Sequence, residues 1–62
     1  MTSQELFESM VLHWNDFAEN HAKFVEKGNK AAATRARKSI GELKKLVTEY
    51  RKESVTESKR TV

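Results

Sequence analysis

The chain contains no cysteine, no proline and only two glycines. Without cysteine there are no disulfides and no thiolate metal site to support a small core. The absence of proline and the scarcity of glycine argue against a loop-rich or all-β fold. No apolar run approaches the roughly 18 residues a membrane span needs, and no apolar region of a signal peptide is visible. At 62 residues the chain makes at most one domain, 1–62, whose core is thin. Enclosing a catalytic pocket of about 300 Å³ or more is hard at that length. An enzyme is therefore not expected, and neither is a cofactor or a small-molecule substrate. With 34% charged residues, the composition leaves a partly disordered chain or long helices that complete their core by association.

Two helical patterns meet at Gly28-Asn29. Thr2-Ser3-Gln4-Glu5 reads as a capping box, with Thr2 as N-cap and Glu5 reaching back to the free amides. Nothing from there to Lys27 breaks a helix. Gly28 suits the left-handed position that ends one, and Lys27 lies favourably on the C-terminal dipole. Asn29 then caps a second helix that opens on Lys30-Ala31-Ala32-Ala33. The expected elements are helix 1 over about 3–27, a turn at 28–29, helix 2 over about 30–56 and a frayed tail at 57–62.

Phe7, Met10, Trp14, Phe17, His21 and Phe24 follow alternating steps of three and four. Ala33, Ala36, Ile40, Leu43, Val47 and Tyr50 follow the same steps. Such spacing makes a heptad seam on each helix. Folding the chain back at Gly28 sets the seams against each other, Phe24 facing Ala33 and Phe7 facing Tyr50. The reading is all-α, an antiparallel hairpin of two long helices. Leu6, Val11, Leu12, Ala18, Val25 and Leu46 add apolar surface that one hairpin cannot cover, which predicts a homodimer forming a four-helix bundle.

The net charge of +3 hides an asymmetry. Residues 1–27 set Lys23 and Lys27 against Glu5, Glu8, Asp16, Glu19 and Glu26, a net −3. Residues 28–62 hold ten basic side chains against four acidic ones, a net +6. Lys30, Arg37, Lys44 and Arg51 recur every seven residues, and Lys38, Lys45 and Lys52 do the same. A seven-residue step returns to nearly the same face. Helix 2 thus carries a basic stripe two side chains wide, extended by Arg35, Lys59 and Arg60. This is an electrostatic footprint for a phosphate backbone. Nothing suggests base readout, and the turn is too tight for a helix-turn-helix. The aromatics that would stack on single strands are committed to the seam, so double-stranded DNA bound without sequence preference is the expected partner. The competing readings are a solubilising charged face and a bundle that docks a partner helix. A membrane-surface role is disfavoured because the more apolar helix is the acidic one.

Gly28-Asn29-Lys30-Ala31-Ala32-Ala33, Arg35-Ala36-Arg37 and Tyr50-Arg51-Lys52-Glu53-Ser54 resemble the N-terminal domain of the histone H1-like nucleoid proteins of chlamydiae and their short relatives. The likeness covers about residues 22–55. It implies a DNA-organising protein, nucleoid-associated in the cytoplasm, with family basic positions at Lys30, Arg35, Arg37, Lys38, Arg51 and Lys52. The chlamydial proteins continue into a long Lys/Ala-rich tail, whereas this sequence ends at Val62. Organisation of DNA is accordingly expected from the folded dimer, by bridging or coating.

The remaining candidates are weaker. His13 and His21 are eight apart, which does not put two ligands on one metal, and no metal site is expected. His21 and Trp14 read as packed seam residues. Ser9, His13 and Asp16 list a hydrolase triad without an oxyanion hole, and are discarded. Gly41, mid-helix, either admits a partner helix or phosphate or has no special role.

Overall fold

A computed structural model describes residues 1–60. Two helices, α1 (Ser3–Lys27) and α2 (Lys30–Arg60), fold back on each other as a rod of 51 × 14 × 13 Å. Neither helix is long and apolar enough to cross a membrane.

The local signals act as expected. The Thr2 Oγ1 accepts the Glu5 N–H at 3.2 Å, and the Glu5 carboxylate accepts the Thr2 N–H at 2.9 Å. Two otherwise unpaired helix-start donors are satisfied at once. Gly28 ends α1 at φ 63, its N–H donating to the Phe24 carbonyl at 2.9 Å. The Asn29 side chain accepts the Ala32 N–H at 3.1 Å and caps α2.

The line of contact between the helices differs from the expected seam. The buried residues are Leu6, Asn20, Ala32, Ala33, Ala36 and Ser39. Met10, His13, Phe17, Leu43 and Leu46 are half-buried beside them. Contact therefore follows 6, 10, 13, 17 and 20 on α1 and 36, 39, 43 and 46 on α2. Five of the twelve expected seam residues, Met10, Phe17, Ala33, Ala36 and Leu43, are buried or half-buried there. Phe7, Trp14, His21, Ile40 and Val47 lie to one side and are exposed, as are Phe24 and Tyr50 towards the ends of the line. Trp14 keeps 52% of its surface open, although its ring sits 5.4 Å from that of Phe17. His21 stacks on the other side of Phe17 at 5.9 Å rather than packing inside.

Two physical causes set this rotation. Ala32, Ala36 and Ser39 are small and let the helix backbones approach. Polar bonds then lock the phase. Ser39 Oγ donates to the Asp16 carboxylate, and Arg35 Nε donates to Asn20 Oδ1 at 2.8 Å. At the open end the Glu57 carboxylate accepts from Ser3 N at 2.7 Å and Ser3 Oγ at 2.6 Å. That last bond ties α2 to the start of α1, and it explains why the helix runs on to Arg60 instead of fraying from 57. Thr61 and Val62, the end of the expected tail, lie outside the described residues.

The hairpin consequently has four distinct sides. Opposite the polar bonds, the displaced apolar residues of both helices point the same way. By the 100° step between successive residues they lie about 70–80° from the contact line, and the centre of each full apolar row lies about 50° from it.

Candidate nucleic-acid interface

The outer side of α2, turned away from α1, carries the charge. Lys30, Arg37, Lys44 and Arg51 form one exposed row and Lys38, Lys45 and Lys52 a second. From Lys30 to Lys52 the rows run about 33 Å at 1.5 Å per residue, close to one turn of a DNA duplex. Within each row the cations stand about 10.5 Å apart.

The floor between the rows is low. It consists of Thr34, Gly41 and Thr48. Thr34 Oγ1 turns back to the Lys30 carbonyl at 3.2 Å, and Thr48 Oγ1 to that of Lys44 at 3.5 Å. Around Gly41 a Cβ would meet nothing within 4 Å, so the hairpin itself does not require a glycine there. The residues three and four positions away are Arg37, Lys38, Lys44 and Lys45, so four cations surround the barest point of the helix.

The eight candidate cations are not equivalent. Arg35 is committed to Asn20 through Nε, which fixes its guanidinium against α1. Lys45 pairs with Glu42 at 3.6 Å in an exposed contact. Arg37 reaches Thr34 Oγ1 at 3.4 Å. Exposed pairs of this kind contribute little to stability and exchange readily for another anion.

Sequence reasoning missed Asp16, Asn20 and Ser39. Asn20 Nδ2 also donates to the Asp16 carbonyl at 2.9 Å, so one buried amide joins both helices. The signal was a second heptad row beside the apolar one: Leu6, His13 and Asn20 on α1, Ala32, Ser39 and Leu46 on α2. His13 belongs to this contact line, half-buried. Above the polar bonds lies an open depression lined by Leu12, His13, Asp16, Arg35, Lys38, Ser39 and Glu42. Its mixed charges suit neither a buried anion nor a metal. Among the described residues no group of three or more metal-ligating side chains comes together.

No curated protein and no solved structure matches the chain at a significant level. The family model described as "Histone H1-like protein Hc1" matches residues 4–60, both helices and the turn that joins them. The chain belongs to this histone H1-like family of nucleoid proteins.

Proposed function

We propose that the protein binds double-stranded DNA without sequence preference, as a homodimer, through the basic rows of α2, and organises DNA in the nucleoid. The observation that carries this reading is the exposed double row of Lys30, Arg37, Lys44 and Arg51 beside Lys38, Lys45 and Lys52. Lysine and arginine placed along a straight rod neutralise phosphates and release condensed counterions. The exposed side chains described along the rows are Lys, Arg and Thr, with no Asn or Gln among them to read base edges. Family membership independently supports DNA as the partner.

The exposed apolar flank supports the dimer. On it, Phe7, Trp14, Ile40 and Val47 are each more than a third exposed. In a four-helix bundle every helix points its apolar sector at the bundle axis, between its two neighbours, and not straight at its hairpin partner. The apolar sectors here are turned in that sense on both helices. The dimer and core residues read from the sequence thus fall into two groups. Met10, Phe17 and Leu43 serve the hairpin, with Phe24 and Tyr50 continuing its rows towards the ends, and Phe7, Trp14, His21, Ile40 and Val47 serve the second copy.

Fluorescence anisotropy on a random-sequence duplex tests the reading. The variant Lys38→Glu, Lys45→Glu, Lys52→Glu alters the row farther from the apolar flank. It should retain its helical circular dichroism and its mass, and lose at least about tenfold in affinity. Unchanged affinity would remove the stripe from the interface.

A further inference from the structure

The structure fixes where each charged face lies relative to the apolar flank. The basic rows occupy the outer side of α2. Glu8, Glu19 and Glu26 share the outer side of α1 and are all exposed, Glu19 also pairing with Lys23 at 3.3 Å. The apolar flank lies between these two charged sides. By the 100° step of the helix, Arg37, Lys44 and Arg51 border it on α2; on α1 the exposed Val11, Ala18 and Val25 border it, and the glutamates lie farther round on the outer side.

Two hairpins can close face to face about a twofold axis in two ways. With the axis across the rods, α2 lies over α2 and α1 over α1, and the turns are at opposite ends. Both basic stripes then share one side of the bundle, and like charges are stacked, net +6 on net +6 and net −3 on net −3. With the axis along the rods, α2 of each hairpin lies over α1 of the other, and the turns are at the same end. Unlike charges are stacked, and the stripes face away from each other.

The register favours the second arrangement residue by residue. Rotation about an axis along the rods moves nothing lengthwise, so levels are inherited from the hairpin. There Arg35 stands at Asn20, Ser39 at Asp16 and Glu57 at Ser3. Arg37 then comes close to the level of Glu19 of the partner chain, Lys30 to its Glu26 and Arg51 to its Glu8. These charges share an outer side of the bundle without meeting at its rim, so each pair contributes little by itself. Their effect is to choose between two packings that bury the same apolar surface.

We propose that the hairpins pair in parallel about a twofold along their length, α2 over α1. The bundle then presents its two basic stripes on opposite edges and bridges two duplexes rather than coating one. This rests on the dimeric DNA-binding reading above.

The natural chain has no cysteine, so a single Lys27→Cys variant places one spin label beside each turn. Pulsed electron–electron distance measurement on the DNA-free protein should give a separation below about 25 Å, a bundle diagonal plus the label arms. A separation approaching the 51 Å rod length, or no intermolecular coupling, overturns the pairing. The same protein is then added to a bead-bound duplex together with a second, fluorescent duplex, while anisotropy records binding to either one. Capture of the second duplex, declining at excess protein, is the expected result. Short label distances with duplex bound but no second duplex captured overturn the bridging. Failure to bind any duplex overturns the DNA reading itself, and leaves the label distance to judge the pairing alone.

Discussion

Trp14→Ala offers the sharpest separation of the two apolar surfaces. Full burial of a large apolar side chain stabilises by about 1.5–3 kcal/mol. Trp14 is 52% exposed in the hairpin, so about half of that, about 0.8–1.5 kcal/mol, remains to be gained against a second chain. A twofold dimer contains two copies, and the loss on association is about 1.6–3 kcal/mol, or about 15- to 150-fold in the dimer dissociation constant. The hairpin should survive, because Leu6, Asn20 and the alanines that form its contact line are untouched. Sedimentation equilibrium across a concentration series reads the constant directly. A parallel circular-dichroism melt, taken at a concentration where the variant is monomeric, checks that the helices remain. An unchanged dissociation constant would show that the flank holding Trp14 is not the dimer face. A natural chain that stays monomeric at high concentration would assign that flank to a different protein.

Gly41→Ala should stabilise the hairpin by about 1 kcal/mol, since the added Cβ meets nothing and glycine is a poor interior helix residue. A thermal melt reads the gain, and a fall in midpoint would reveal a contact across Gly41 in the assembly. Asn20→Ala removes the acceptor of Arg35 Nε and the donor to the Asp16 carbonyl. The cost should be about 1–3 kcal/mol in urea unfolding, and a neutral result would mean that the polar bonds do not set the helix phase. Acid should weaken the start of α1. The Thr2 backbone amide, then its hydroxyl, hold the Glu5 carboxyl below its ordinary 4.5. A carboxylate with a lowered folded pKa stabilises above its unfolded value and loses that contribution as pH falls through the folded one. Helicity followed by circular dichroism should therefore fall below pH 4.5, and Glu5→Gln should flatten that part of the decline.

What the sequence revealed and concealed follows the range of the forces. The Thr2–Glu5 box, the Gly28 stop and the Asn29 cap each involve residues within four positions of one another, and pattern alone locates them. The basic rows are visible for the same reason, since a seven-residue repeat is a property of one helix. Helix phase is different. The apolar steps mark the centre of the apolar sector, and in a chain whose sector faces two neighbours that centre is not the hairpin contact line. The line is chosen by Ser39 with Asp16, Arg35 with Asn20 and Glu57 with Ser3, pairs separated by 23, 15 and 54 residues. The last of these also carries α2 past the expected end at 56. Arg35, which the sequence offered as an extension of the stripe, has its Nε turned to α1 instead.

The salt dependence of duplex affinity tests the central claim most directly. A straight basic stripe of this kind engages phosphates and little else. For about five phosphates, the logarithm of the binding constant should fall with the logarithm of salt at a slope near about −4.5. It should do so alike for duplexes of unrelated sequence. Binding that is undetectable at low salt, or that persists unchanged as salt rises, would contradict it.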